Sequence, residues 1–262
     1  MDHPASSPAD VVATPDAPAQ ETLTTECEPV IYLPPEQWPN VDHLITEDDT
    51  PVDNFFSAKQ QRLLVEPLYS SWPGPGDERS FLADANVGVF AIIQNPAIVP
   101  DMFLSLDVEP STDWWEKRGR SYLLWELGKA PDVVIEIVSN REGNETGSKL
   151  QDYARMAVPY YVIFDPAEHL HTGILHVYEL AIGRRTYQEL SDGWMAGVGL
   201  GVRLWDGVFE GRATRWLRWY DAQGHLIPTG AERAEQERQR AEQSELAREQ
   251  ERQRAEQERQ RA

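Results

Sequence analysis

Apolar positions along this chain follow two local rhythms. Phe55, Phe56, Leu63, Leu64 and Leu68 fall at helical spacing and stop before Trp72-Pro73-Gly74, which predicts a helix and then a turn. Residues 87–93, 102–106, 133–138 and 160–164 are short, nearly continuous apolar runs, which predict buried strands. Between the last two runs, Leu150, Tyr153, Ala154 and Ala157 sit at i, i+3, i+4 and i+7, which predicts a short helix over 148–157. Residues 174–180 and 185–190, separated by Ala181-Ile182-Gly183-Arg184, predict a hairpin, and 202–205 a last short strand. This order of helix, strands, helix, strand and hairpin predicts an α/β domain with a central mixed β-sheet flanked by helices.

Both ends of the chain break the pattern. Residues 1–28 are rich in Ala, Pro, Ser, Thr and acids, too poor in apolar groups to offset the entropy of ordering, and are expected to be disordered. Residues 29–54, with Pro34-Pro35, Pro39 and Pro51, read as an extended arm packed on the domain through Ile31, Tyr32, Leu33 and Trp38. From Ala231 the chain is almost wholly Ala, Glu, Gln and Arg, and RAEQERQ recurs at 233–239 and 254–260. These residues favour helix, with Glu235/Arg238 and Glu256/Arg259 as supporting i, i+3 pairs. Only one heptad position is apolar, held by Ala234, Ala241, Ala255 and Ala262 with Arg248 interrupting. The tail is thus a long helix, with a coiled-coil homodimer and a single solvated helix both open. Its sparse apolar content predicts that residues 231–262 can be removed without unfolding the domain. The resulting division is an acidic, Pro-rich arm (1–52), a folded domain (53–225) and a polar helical tail (226–262).

Charge changes the picture of the partner. Of the net −20, residues 1–58 contribute −12, the tail −1 and the middle −7. An acidic middle argues against a generic nucleic-acid coat, because phosphate binding needs basic surface. It leaves room for a local basic rim, and Lys117, Arg118, Arg120, Lys129, Arg141 and Lys149 all fall in one window and are expected to gather on one face. The lone Cys27 forms no internal disulfide and makes no Cys-based zinc site. No apolar run reaches the ~18–20 residues of a membrane span, and the N-terminus lacks the features of a secretory signal. A cytoplasmic protein without a membrane partner is expected.

The chemistry-bearing residues lie between Val99 and Pro166. Glu136 stands between Ile135 and Ile137 in a strand buried on both faces, where an unpaired carboxylate is expensive. Asp101 follows Pro100 at the mouth of another strand. Lys149 begins the short helix, where it can reach back over the end of the Glu136 strand. Two acids and a lysine on neighbouring elements point to a divalent-metal site for phosphodiester hydrolysis, with Asp101 and Glu136 as ligands and Lys149 assisting water or phosphate. Asp132 and Asp165 read as turn formers. Trp114 and Trp115 beside Lys117, Arg118 and Arg120 offer a DNA contact, against a reading as two core tryptophans in a charged loop. The chain has no His-x-x-x-His, Walker loop, GxGxxG or Gly-x-Ser-x-Gly.

Together, VPDMFLSLDV (99–108), SYLLWELGKAPDVVIEIVSN (121–140), the Lys149…Tyr153 spacing and VPYYVIFDP (158–166) resemble the Uma-type restriction endonuclease family of the PD-(D/E)XK nuclease superfamily. The segments at 200–205 and 217–224 are also similar to it. The resemblance covers roughly residues 50–235. It implies a restriction-endonuclease-like core and Mg²⁺-dependent cleavage of DNA, with Mn²⁺ as a substitute. Asp101 matches the family's Pro-Asp acid and Glu136 the acid of its (D/E)XK element. Val138 stands where that element has lysine, and Lys149 is the candidate replacement. The competing reading is a non-catalytic interaction protein that retains the nuclease-like fold.

Overall fold

The computed structural model describes residues 33–41, 54–76, 79–92, 96–111, 113–139, 145–181, 183 and 185–261. The expectations placed on residues 1–28, on Ile31 and Tyr32, and on Arg141 lie outside them.

Helix α1 (Phe55–Ser70) begins at Asn54, whose side chain accepts from the backbone N–H of Phe56 and Ser57, both at 2.9 Å. Its Leu64 and Leu68 pack on one face of a six-stranded sheet. That sheet has the order β1 (Phe81–Asp84), β3 (Met102–Leu106), β5 (Val133–Ile137), β6 (Tyr160–Phe164), β7 (Leu175–Leu180), β8 (Tyr187–Glu189). Only β5 and β6 pair in parallel; the other neighbours are antiparallel. A parallel pair needs a crossover, and α3 (Leu150–Arg155) lies in it. Strand β2 (Val89–Phe90) pairs in parallel with β4 (Tyr122–Leu123), which runs into the one-turn helix α2 (Leu124–Leu127). The apolar run at 87–93 is thus much shorter as a strand than its composition implies.

The central strands bury both faces. Met102, Leu104, Val133, Ile135, Val162 and Phe164 meet α1 and a second, antiparallel sheet. On the other face, Phe103, Val134, Tyr161 and Ile163 meet Tyr122, Leu124, Tyr153 and Met156. Each fully buried side chain of this size contributes about 1.5–3 kcal/mol. The fold is mixed α/β and consistent with a restriction-endonuclease-like core.

The second sheet has the order β11 (Arg212–Tyr220), β10 (Leu200–Phe209), β9 (Trp194–Met195). Sequence pattern predicts only 202–205 of it. The tight turn at Glu210-Gly211 has φ of 45° and 74°, the left-handed pair that joins strands with matching twist. Gln60 of α1 holds the hairpin by exchanging two amide bonds with the backbone of Leu217, at 2.8 and 2.9 Å.

The C-terminal helix α4 (Gly230–Arg261) runs about 48 Å at 1.5 Å per residue. It has no buried residue, yet its first turn is fixed to the domain. Thr229 accepts from the Glu232 N–H, and the Glu232 carboxylate accepts from the Thr229 N–H. Glu232 also takes two bonds from the buried Arg218, at 2.9 and 2.6 Å. Among the described residues, no helix is long and apolar enough to cross a membrane.

Candidate active site

Asp101 and Glu136 meet because of strand register. Met102 pairs with Ile135 and Phe103 with Val134 in the antiparallel β3–β5 ladder. One residue before Met102 and one after Ile135, Asp101 stands opposite Glu136, on the face shared with Phe103 and Val134. Backbone and amide donors orient Asp101: Oδ2 accepts from the Ile137 N–H at 2.6 Å and Oδ1 from the Gln61 side chain at 3.1 Å. Gln61 in turn exchanges bonds with Asn86 at 3.2 and 3.3 Å.

Glu136 is 1 % exposed. Helix α3 and the turn before it supply its partners: Lys149 Nζ donates to Oε2 at 2.8 Å and the Tyr153 hydroxyl to Oε1 at 2.6 Å. Lys149 and Tyr153 are four residues apart, so both reach the same carboxylate from one side. Burial still outweighs these bonds, and with the Asp101 charge beside it the Glu136 carboxyl is pushed up to about 7. At Lys149 burial acts to lower the ammonium's pKa, but Glu136, Glu145 and Asp101 together turn the shift upward, so the lysine stays charged. The Tyr153 hydroxyl is raised well above its ordinary value by burial and then by Glu136, and serves as a donor.

The structure thus brings Asp101, Glu136 and Lys149 into one cluster. It adds four groups that sequence reasoning did not single out for the site: Gln61, Asn86, Glu145 and Tyr153. Tyr153 was legible as the i+4 neighbour of Lys149. Gln61 and Asn86 lie 40 and 15 positions before Asp101, with no local signal linking them. Asp132 belongs elsewhere: at the other end of β5 it accepts from Lys129 at 2.5 Å and from the Leu106 N–H at 2.8 Å. Lys129 is therefore not part of a basic rim around the acids. Asp165 closes β6 by accepting from the N–H groups of His169 and Leu170.

The tryptophans of the 113–120 loop are not core residues. Trp114 is 70 % and Trp115 87 % exposed, because the loop turns both rings outward ahead of the short 3₁₀ turn Lys117–Arg120. Arg118 is held by Glu126 at 2.9 Å and lies over the Trp38 ring, and Arg120 donates to the Trp115 carbonyl. A cleft of about 650 Å³ runs beside this loop, lined by Tyr69, Phe81, Asp84, Trp114, Arg118 and Arg120 among others. A second hollow shares Val65 and Asp84 with it and is lined by Gln61 and Asn86. The two run from Trp114 to Gln61, which donates to Asp101.

A metal ion fits the chemistry of this donor set. Asp101 and Glu136 are hard oxygen donors on one face of the sheet, the donor class that divalent cations take. Among the described residues no three His, Cys, Asp or Glu side chains gather as a metal cluster.

The family model Uma2, described as "Putative restriction endonuclease", matches residues 45–203. No curated protein and no solved structure matches the chain.

Proposed function

The chain belongs to the Uma2 restriction endonuclease family, within the restriction-endonuclease-like PD-(D/E)XK superfamily, and from this premise we propose that it is a metal-dependent DNA endonuclease. The observation that carries the reading is the Asp101–Glu136–Lys149 cluster, with a buried glutamate held at 2.8 Å by a lysine. A structural ion pair needs no third charge. Here a second carboxylate, Asp101, stands against the first and raises its proton affinity. Such crowding of like charge is costly and characteristic of sites that take a cation.

Asp101 and Glu136 would hold Mg²⁺, or Mn²⁺ in its place, and the ion would supply Lewis-acid stabilisation of the phosphate and activation of water. The chain's own groups do the rest. The Ile137 N–H and Gln61 fix Asp101, and Tyr153 fixes Glu136. Lys149 brings a charged donor to the place where the phosphate gains negative charge. Val138 leaves the usual lysine position empty of charge, and Lys149 fills that role from the start of α3.

The test is cleavage of supercoiled and single-stranded DNA with Mg²⁺ or Mn²⁺, beside Lys149→Met and Asp101→Asn. Lys149→Met is expected to lower the cleavage rate by about 100- to 1000-fold with a smaller change in Mn²⁺ affinity. Wild-type protein that binds neither metal nor DNA would return the reading to a non-catalytic interaction protein.

DNA would follow the cleft from Gln61, beside Asp101, to Trp114 and the neighbouring Trp115. Trp114→Ala with Trp115→Ala is expected to weaken single-stranded DNA binding by about 1–3 kcal/mol per stacked base. Reversing Lys117, Arg118 and Arg120 should flatten the salt dependence of binding. Fluorescence anisotropy between 50 and 200 mM salt reads both, and wild-type binding in both variants places the DNA elsewhere. Helix α4 is the proposed homodimer surface, and concentration-dependent sedimentation of the full chain against a chain ending at 240 tests it.

A further inference from the structure

Glu145 lies four residues before Lys149 and outside the acid pair. It opens the Glu145–Lys149 turn and is 4 % exposed. Its Oε2 is buried and has no hydrogen-bond partner among the described residues. The main chain there is anchored, since the Glu145 carbonyl accepts from the Tyr161 hydroxyl at 3.0 Å. The side-chain charge acts on Lys149 and on Tyr161. A buried acceptor left without a donor costs about 1–3 kcal/mol, so an arrangement of the site that gives Oε2 a donor is favoured. Lys149 has three N–H groups, and Glu136 Oε2 is its hydrogen-bonded acceptor, at 2.8 Å. The turn joining Glu145 to Lys149 is broken at Gly147, with φ −110° and ψ −108°, so the two side chains are not locked in helical register.

We propose that Glu145 is a positioning residue that receives the Lys149 ammonium when a divalent cation occupies Glu136. The proposal rests on the metal-dependent reading above. A cation and an ammonium compete for the same carboxylate, because two positive charges brought to one oxygen repel each other strongly away from bulk water. An ammonium displaced into a half-buried pocket without an acceptor would oppose the cation. Glu145 supplies the acceptor, so Lys149 stays charged and stays beside the acid pair. Only a hydrogen bond moves. Glu145 is not a third ligand, since among the described residues no three acids cluster.

The test is Mn²⁺ binding by calorimetry on the full chain, for wild type, Glu145→Gln, Lys149→Met and the double variant. Glu145→Gln should weaken Mn²⁺ binding about tenfold when Lys149 is present and less than about twofold when it is Met, a coupling only a shared interaction produces. Equal weakening in both backgrounds makes Glu145 a direct ligand and overturns the hand-over. So does unchanged affinity in both. A folded wild type that binds no Mn²⁺ removes the metal-dependent reading itself, a result distinct from either. If Glu145→Gln does not fold, a crystal structure of the wild type with Mn²⁺ decides. Lys149 Nζ within hydrogen-bond distance of Glu145 Oε2 supports the hand-over, and Nζ still on Glu136 Oε2 overturns it.

Discussion

Glu136→Gln is expected to reduce cleavage by on the order of 10³-fold and, in metal-free protein at neutral pH, to stabilise the fold. The first effect follows from removing the buried anion. The second follows from where the proton sits. Burial, with Asp101 nearby, lifts the Glu136 carboxyl from 4.5 to about 7. The folded state therefore prefers the protonated acid, and its advantage is complete below pH 4.5. As pH rises towards 7 the unfolded chain releases the proton first, and native stability falls. Above about 7 both states are ionised and the loss is complete, at most about 3 kcal/mol from a shift of this size. Glutamine imitates the protonated acid at every pH and escapes the loss. Urea unfolding of both proteins in EDTA, from pH 4 to 8, should give curves that agree at the acid end and diverge through this window. Parallel curves would show that Lys149 and Tyr153 compensate the carboxylate fully. Added Mn²⁺ should close the gap by stabilising the wild type alone.

Ending the chain at residue 230 is expected to cost about 3–5 kcal/mol, whereas ending it at 240 should cost less than about 1. Arg218 explains the difference. Its guanidinium is buried, stacked 4.7 Å above the Trp205 ring, and bonded to the Ile227 carbonyl and twice to Glu232. Truncation at 230 deletes Glu232 and strands the charge, and it also removes the reciprocal Thr229–Glu232 cap. Beyond Arg233, which donates to the Ser70 carbonyl of α1, the tail makes surface pairs such as Arg238 with Glu235 and Glu242, worth a few tenths of a kcal/mol each. Against a typical stability of ~5–15 kcal/mol the first deletion is severe. Thermal melts of the three lengths test this, and equal melting temperatures for the 230 and 240 chains would mean that Arg218 finds solvent instead. In an Arg218→Met background the penalty of ending at 230 should shrink, because no buried charge remains.

The expectation that the domain stays folded without residues 231–262 is sharpened at the first turn of the tail, where Glu232 holds Arg218. Composition shows a run of Ala, Glu, Gln and Arg, and nothing in that run marks Glu232 apart from the other eight glutamates. Its partner is an arginine fourteen residues earlier, in a strand that the apolar pattern does not mark. Only the return of the chain over β11 at Ile227 and Glu232, with the Trp205 ring of β10, encloses Arg218.

What the sequence determined by itself was the set of elements whose periodicity is unambiguous. Helix α1, strands β3, β5 and β6, helix α3 and the β7–β8 hairpin follow from apolar spacing, since burial of one or both faces selects that spacing directly. Asp101, Glu136 and Lys149 stood out for the same reason, as charges where the pattern demands apolar groups or at the ends of such runs. Tertiary structure decided what periodicity does not encode. The β3–β5 register set Asp101 against Glu136, and the crossover through α3 swung Lys149 and Tyr153 onto one carboxylate. α1 delivered Gln61 to Asp101 across forty residues, and the 113–120 loop turned its tryptophans out. Each depends on which strands become neighbours, and a long-range pairing of that kind leaves no local trace in the order of the residues.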